Sequence, residues 1–271
     1  LCGTCDYTRN AGGTFLLPSN LLVQIKMDRD SISTHAAYEE TYWWFVGRRK
    51  VISTIGRRYL TRPNLRILDW GCGAGGNFKT LAQFGTVSGV DSSPAAVEFC
   101  KKRGFANVKC LARLDQLQGG LKFDMITCFD VLEHLEDDGE FLRQLHEFID
   151  SHAFVFVTIP AHEFLWSQLD EVLGHVRRYS RKRIIELFEQ NGFQVIRVSY
   201  FFALLSPLFV VARIFQKKTN SRTVTLEDMI VNVPKSLNLF FIWLMAVESF
   251  LLRWINLPLG TSLLLLARPC R

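Results

Sequence analysis

The sequence predicts an α/β fold with a doubly wound sheet, in which parallel strands alternate with helices on both faces. Short apolar segments alternate with helix-length stretches, and a glycine-rich turn follows the first of these segments. The hydrophobic fraction of 48% in 271 residues is sufficient for a packed core. The formal net charge of +6 is spread over short clusters, so nucleic acid is not an expected partner.

The N-terminal part predicts a lead-in followed by one domain. Residues 1–35 lack a steady apolar period and are expected to be loosely ordered, whereas residues 36–271 form the domain. From Ala36 to about Leu60 the apolar residues recur at helical spacing, and Pro63 ends that pattern.

Further along the chain, apolar segments of strand length predict a sheet of seven strands. They are 65–69, 86–90, 108–111, 123–129, 154–159, 193–198 and 262–266. Helices are expected between most of them. Asp137 with Glu140 predicts one helix start, Ser180 predicts another, and Gly192 predicts the end of the latter.

A helical insertion, 201–259, separates the sixth and seventh predicted strands. Two apolar runs, 198–212 and 236–247, overlap or lie within it, each shorter than the roughly 20 residues that span a bilayer. Two interpretations stay open. The runs are buried helices that cap the domain or form a homodimer interface, or they lie in a membrane surface with basic residues facing lipid phosphates.

The glycine turn LDWGCGAGG indicates a nucleotide-type cofactor. Gly71, Gly73 and Gly76 fit GxGxxG between a strand and a helix, and Asp91 lies 20 residues beyond Gly71 at the end of the next strand. This spacing alone also fits the dinucleotide site of an NAD(P)-dependent oxidoreductase.

Asp69 distinguishes between the cofactor classes. It stands just before the first glycine of the turn, where an added negative charge would repel a pyrophosphate. A cofactor with an amino group and a sulfonium cation tolerates this charge well. Asp69 therefore favours a sulfonium cofactor over a dinucleotide.

Three segments resemble class I S-adenosylmethionine-dependent methyltransferases: DWGCGAG, VDSSP and FDMITCFDVLEHLEDD. The similarity covers most of residues 36–200 and returns in the last strand. The runs WWFVGRR and GHVRRY are similar to a bacterial subgroup of these enzymes whose acceptors are mostly unassigned. The resemblance implies a seven-stranded Rossmann-like methyltransferase sheet and S-adenosyl-L-methionine as the cofactor.

The resemblance also implies a cofactor site at the glycine turn, the end of the second strand and the residues after the fourth strand. The residues expected there are Asp69, Gly71, Cys72, Gly73, Asp91, Ser92, Phe129, Asp130 and Val131. Arg48, one turn beyond paired aromatic residues, is a candidate for binding the cofactor carboxylate. The alternative is that it belongs to a solvated basic face.

Three histidines after the fourth and fifth strands are candidates for a general base: His134, His162 and His175. The polar run 160–180 predicts an acceptor-binding loop. Asp130, Glu133 and His134 also resemble the triplet that holds a divalent cation in ubiquinone-type O-methyltransferases. No metal is expected, because many relatives carry LEH without one.

The predicted function is methyl transfer from S-adenosylmethionine to a small-molecule or lipid-linked acceptor, at oxygen. The protein is expected in the cytoplasm, with the inner face of the membrane as a further location and a homodimer as a further assembly. The first alternative, an NAD(P)-dependent oxidoreductase, is opposed by Asp69 and by the lack of a suitable Tyr-x-x-x-Lys pair. The second, a catalytically silent methyltransferase-like binding module, is opposed by the intact acidic and glycine residues.

Overall fold

The computed structural model describes residues 36, 38–117, 120–211 and 233–270. The predicted lead-in, 1–35, lies outside the described residues. The strands are β1 (Leu65–Trp70), β2 (Gly85–Asp91), β3 (Val108–Cys110), β4 (Phe123–Phe129), β5 (Ile149–Pro160), β6 (Phe193–Phe201) and β7 (Ser262–Pro269). The helices are α1 (Trp43–Tyr59), α2 (Phe78–Leu81), α3 (Pro94–Lys102), α4 (Asp138–Leu145), α5 (Gln168–Val172), α6 (Arg181–Gln190) and α7 (Lys235–Leu252).

The strands form one seven-stranded sheet in the order β3-β2-β1-β4-β5-β7-β6. Neighbouring strands from β3 to β5 pair in parallel, and β7 pairs antiparallel with both β5 and β6. The predicted seven-stranded α/β sheet is confirmed. The strand order reverses at β1, which lies between β2 and β4, and open α/β sheets bind ligands outside the carboxyl ends of the strands at such a point.

The central strands are apolar because helices cover the sheet on both faces. In β4, Met125 and Ile126 are buried, and β5 is buried from Ala153 to Ile159. This rigid centre holds the carboxyl ends of β1, β4 and β5 in fixed positions.

Three of the predicted helix boundaries are confirmed. The Asp137 side chain accepts a hydrogen bond from the Glu140 backbone N–H at 2.7 Å, which caps α4. Ser180 Oγ accepts one from the Arg183 N–H at 3.1 Å and caps α6. The chain leaves α6 through Gly192, whose φ of 82° suits glycine.

The first long helix begins at Trp43 rather than at Ala36, because a distant side chain occupies the backbone groups at its start. Asn238 of α7 accepts a hydrogen bond from the Trp43 N–H at 2.9 Å and donates one to the Thr41 carbonyl at 3.0 Å. Tyr42, between them, has extended backbone angles and separates α1 from a short helical turn at 38–41. Tertiary contacts therefore override the helical period here.

The insertion contributes a helical segment at 206–211 and helix α7, and its residues 212–232 lie outside the described residues. Met245 of α7 is fully buried, and a Cβ added at Gly47 of α1 would lie 2.7 Å from Met245 Cγ. The opposite side of α7 is exposed, with Leu239 at 65% and Phe250 at 62%. Burial as a cap therefore accounts for one face of α7 and not for the other.

Candidate cofactor and acceptor site

The glycine turn after β1 adopts backbone angles that favour glycine. Gly71 has φ 74°, and a Cβ there would lie 2.5 Å from Val131 Cγ2, so a side chain would displace the segment after β4. Gly73 has φ 54°, and a Cβ there would meet no described atom within 4 Å. A ligand can thus approach the turn closely at Gly73, which fits an adenosyl-type cofactor.

Asp91, at the end of β2, is tied to this turn. Its two carboxylate oxygens accept hydrogen bonds from the backbone N–H groups of Gly73, at 2.8 Å, and Ser93, at 2.9 Å. Burial raises the pKa of Asp91 above its usual range, although the two hydrogen bonds favour the ionised form. The predicted ribose-binding carboxylate therefore lies directly beside the glycine turn.

Asp69, at the end of β1, has one satisfied carboxylate oxygen and one unsatisfied one. Thr127 Oγ1 donates to Oδ1 at 2.6 Å, whereas the buried Oδ2 has no hydrogen-bond partner in the described structure. Burial raises the pKa of Asp69 to about 7, while the Thr127 hydrogen bond and the charge of Arg48 oppose this shift. An unpartnered buried carboxylate oxygen is suited to a cationic amino group of a ligand.

Arg48 and Asp130 form an ion pair next to Asp69. Asp130 has φ 56°, a left-handed conformation that is uncommon outside glycine, and Thr158 Oγ1 donates to its Oδ1 at 3.0 Å. The Arg48 guanidinium lies 4.6 Å from the centroid of the Trp44 ring. Arg48 is therefore held within the site, and its contact with a cofactor carboxylate stays a prediction.

The remaining residues predicted for the cofactor differ in what they expose. Phe129 is buried edge-on to Phe156, and the Cys72 thiol is buried in a small cluster with Phe78. Phe129 and Cys72 can therefore present only their backbone atoms to a cofactor. Ser92 is half-buried beside Asp91.

On the acceptor side, His134 and His175 meet edge to face, with ring centroids 4.8 Å apart. His175 Nδ1 lies 2.8 Å from Asp170 Oδ1, and His134 Nδ1 lies 3.2 Å from the Gly174 carbonyl oxygen. Both partners are acceptors, so each Nδ1 carries a proton, and in the neutral form of either ring Nε2 has the lone pair. Burial, helped by His175, lowers the pKa of His134 to about 4, which keeps this ring neutral near pH 7.

Asp170 organises the loop that the sequence predicts for acceptor binding. Its buried carboxylate accepts two hydrogen bonds from Arg178, at 2.7 and 3.0 Å, and one from the Ser167 N–H at 2.9 Å. Burial opposes ionisation, but hydrogen bonds from His175 and Arg178 prevail and lower the pKa of Asp170. Arg178 also donates to the Ala161 carbonyl at 3.1 Å, which fastens the loop to the end of β5.

His162 lies in different surroundings from the other two candidate bases. Its ring stacks on Tyr200 at 5.0 Å with an interplanar angle of 6°, and its backbone φ is 62°. Burial lowers the pKa of His162. The structure thus brings together two of the three predicted histidines.

Glu133, His134 and His175 are the described residues that fit a divalent cation. Their ligand atoms lie within 4.8 Å of one another, and both carboxylate oxygens of the fully buried Glu133 lack a described hydrogen-bond partner. Burial raises the pKa of Glu133 well above its usual range. Asp130, part of the triplet that the resemblance suggests, instead contacts Arg48 and Thr158.

Sequence reasoning missed three polar residues of the site. Thr127 and Thr158 hold Asp69 and Asp130, and the buried Glu39 lies so close to the glycine turn that a Cβ at Gly76 would be 2.5 Å from its Oε2. Burial raises the pKa of Glu39 to about 7. A threonine inside an apolar strand was the available signal for the first two.

The sequence matches a family model described as a methyltransferase domain over residues 45–198, which is more than half of the chain. The chain belongs to this methyltransferase domain family. The matched segment forms a methyltransferase domain with S-adenosylmethionine as its cofactor, and it contains the glycine turn, Asp69, Asp91 and the residues after β4.

Curated relatives match parts of this methyltransferase. The mitochondrial ubiquinone biosynthesis O-methyltransferase of Schizosaccharomyces pombe is 38% identical over 90 residues, which is 30% of this chain and 33% of the relative. The ubiquinone biosynthesis O-methyltransferase of Coxiella burnetii is 25% identical over 135 residues, or 45% of this chain and 58% of the relative. The matches thus span less than two thirds of these relatives.

Solved structures share the fold at low sequence identity. The plantazolicin methyltransferase BpumL with bound SAH has a TM-score of 0.56 at 14% identity, and the alignment covers 91% of this chain and 93% of that one. The Haemonchus contortus phosphoethanolamine N-methyltransferase 2 has a TM-score of 0.55 at 16% identity, covering 90% and 58%. The [4+2]-cyclase SpnF, with a TM-score of 0.51 at 14% identity and coverage of 83% and 81%, shares the fold too. The fold alone does not determine the acceptor.

The Asp69 carboxyl predicts a pH dependence of cofactor binding. The affinity for S-adenosylhomocysteine should fall as the pH drops below the Asp69 pKa of about 7, because a protonated carboxyl no longer attracts the amino group. The raised pKa has the opposite consequence for the unliganded protein. Between the ordinary Asp value and pH 7 the folded state binds more protons than the unfolded state, so its free energy of unfolding falls as the pH rises.

The Asp69→Asn variant separates Asp69 from Glu39, whose pKa is also about 7. Calorimetric titrations from about pH 6 to about pH 8 should show weaker binding and a flatter pH profile for this variant. Asp150→Asn, at an exposed residue in β5, is the matched control. Parallel profiles for Asp69→Asn and the parent protein would contradict the assignment.

Proposed function

We propose that this methyltransferase transfers the methyl group to a hydroxyl oxygen of a hydrophobic acceptor, either a small molecule or a lipid-linked one. The observation that carries the proposal is the Asp170–His175 pair beside His134. Glu133 and His134 follow Asp130 and Val131 in the chain with only Leu132 between them, and the Val176 N–H donates to the Glu133 carbonyl at 2.8 Å. This backbone contact supports a position of His175 close to the cofactor residues. The names of the curated O-methyltransferases also support oxygen.

Bound S-adenosylmethionine would supply an electrophilic methyl carbon: as the acceptor oxygen attacks it in line, the electron pair of the carbon–sulfur bond would pass to sulfur and leave a neutral thioether. A hydroxyl acceptor must lose its proton during this step, and we assign the proton to His175 Nε2. Asp170 holds the proton on Nδ1 and fixes the ring orientation, as a carboxylate does in an Asp–His pair. The neutral His134 packs against the same ring.

The alternative role of these residues is a divalent-cation site, in which Glu133, His134 and His175 would hold the ion. Such an ion would supply positive charge to an acceptor oxygen. The hydrogen bonds from each Nδ1 to a carbonyl or carboxylate oxygen match the outer contacts of histidine ligands. His175 would then be a ligand and not a base, and removal of metal distinguishes these roles.

A hydrophobic acceptor is supported by the aromatic contacts between the insertion and the site. Phe202, directly after β6, stacks on Trp44 at 5.8 Å with an interplanar angle of 18°. The guanidinium of Arg48, paired with Asp130, lies over the same Trp44 ring. The Trp44 ring therefore contacts both Phe202 of the insertion and Arg48 of the predicted cofactor site. We further propose that this protein is cytoplasmic and contacts the inner face of the membrane.

The experiment is a methyl-transfer assay with labelled S-adenosylmethionine and three acceptors. They are a long-chain phenol in detergent micelles, the matching long-chain aniline, and a short water-soluble phenol. Mass spectrometry should detect a methyl ether, formed fastest from the long-chain phenol. N-methylation alone would contradict the oxygen assignment. Calorimetry that shows cofactor binding without transfer to any acceptor in a wider panel would favour a silent binding module.

A further inference from the structure

The outer face of α7 and the residue pair that follows it form an exposed apolar surface. We define this surface as the outer face by five residues: Leu239, Phe240, Trp243, Phe250 and Trp254. They are between 50% and 65% exposed. Scattered apolar residues are normal on a protein surface, but a contiguous set with four aromatic side chains marks an interaction site.

Helix α7 has 18 residues and is apolar enough to cross a membrane by length and composition alone. Its other face, however, is attached to α1 along its length. Asn238 near its start bonds to the backbone around Trp43, and Ser249 near its end bonds to Thr54 at 2.6 Å and to the Lys50 carbonyl at 3.0 Å. The helix therefore lies against α1, and within the described residues its outer face is not covered.

A cationic groove adjoins this face where α1 and α7 end. Lys50, Arg57, Arg58 and Arg253 line it together with the hydroxyl groups of three residues, Ser53, Thr54 and Ser249. The lining contains no acidic residue. Within the described part of the chain, none of the four cations lies within ion-pair distance of a carboxylate. The positive charge of the groove therefore favours binding of an anionic partner.

Apolar and cationic residues meet at one edge. Phe250 and Trp254 line the groove as well as the outer face, and the Arg253 guanidinium lies 5.3 Å from the Trp254 ring centroid. Aromatic side chains beside arginine and lysine are typical of surfaces that enter the interface between lipid headgroups and acyl chains.

We propose that the outer face and the cationic groove dock this enzyme on a bilayer that contains anionic phospholipids. The aromatic residues enter the headgroup region, and the four cations contact lipid phosphates. Charge argues against a second copy, because a two-fold contact through this surface would bring two like-charged grooves together. The inference deepens the proposed function and rests on it only for a membrane-held acceptor.

Vesicle sedimentation with the full chain tests the docking. The protein should sediment with phosphatidylcholine vesicles that contain phosphatidylglycerol, and much less with phosphatidylcholine alone. Arg57→Gln with Arg253→Gln should weaken binding about thirtyfold, since each cation near an anionic surface contributes about fivefold. Phe250→Ser with Trp254→Ser should weaken binding to the same vesicles, and lowering the salt concentration should not restore that binding.

The control for the charge variant is Arg181→Gln with Lys182→Gln, which removes two positive charges from α6. The control for the aromatic variant is Leu121→Ser, which removes an exposed apolar side chain elsewhere. These variants should bind vesicles like the parent protein. Equal binding by the groove variants, or no binding of the parent to either vesicle, would overturn the proposal. The proposal would also be overturned if light scattering showed that the parent protein is a dimer, that the Phe250→Ser with Trp254→Ser variant is a monomer, and that neither protein binds vesicles. Retained transfer to a water-soluble phenol would show that methyl transfer itself is intact.

Discussion

Replacing His175 by alanine is expected to lower kcat by about two to four orders of magnitude, which is the usual contribution of a general base. The reason is that Nε2 of His175 carries the lone pair that takes the acceptor proton, while Asp170 holds Nδ1 at 2.8 Å. The affinity for S-adenosylhomocysteine should stay unchanged, because most of the residues predicted to bind the cofactor lie on β1, in the glycine turn, on β2 and in the segment after β4. Single-turnover kinetics and calorimetry measure the two quantities separately.

The matched control is His152→Ala, at an exposed histidine near the start of β5. Added imidazole should restore part of the activity of His175→Ala and none of any loss caused by a structural change. Dialysis against a chelator should leave the parent enzyme active. Loss of activity on chelation, with recovery on adding a divalent cation, would instead make Glu133, His134 and His175 metal ligands.

Replacing Asp91 by alanine should weaken cofactor binding by about one hundredfold or more, because two hydrogen bonds from ribose hydroxyls to a carboxylate contribute about 1.5 kcal/mol or more each. The substitution also removes the acceptor for the Gly73 N–H and so loosens the glycine turn. Calorimetric titration with S-adenosylhomocysteine measures the loss.

Asp91→Asn provides the graded comparison, since its amide oxygen can still accept one of the two backbone hydrogen bonds. It should bind more tightly than Asp91→Ala and more weakly than the parent. Asp115→Ala, at an exposed residue paired with Arg113, should have no effect. Unchanged affinity in Asp91→Ala would refute the entire cofactor site.

The fold was predictable because strands that are buried on both faces appear in the sequence as apolar runs. β4 has the predicted bounds, Phe123–Phe129, and β1 and β2 differ from theirs by a residue at one or both ends. β5 begins at Ile149, five residues before the predicted start. The prediction missed this end of the strand because Asp150, Ser151 and His152 are exposed and polar. An apolar pattern does not extend over the exposed end of a strand.

The position of a candidate site residue was predictable where that position depends on its own strand. Asp69 and Asp91 lie at the ends of β1 and β2, beside the turn that the sequence identified. The ion pair of Arg48 with Asp130 depends on how α1 packs against the sheet, and the bonds from Asp170 depend on how a loop folds back to β5. Neither arrangement has a local signal in the sequence.

Helix α1 has a consequence for how the rate depends on substrate. The same rigid helix carries Arg48 beside the predicted cofactor residues and, further along, Lys50, Arg57 and Arg58 in the cationic groove. An enzyme docked through that groove samples an acceptor confined to two dimensions. Its velocity would then follow the mole fraction of acceptor within the lipid layer, and inert lipid would slow it by surface dilution even when the total amount of acceptor is constant.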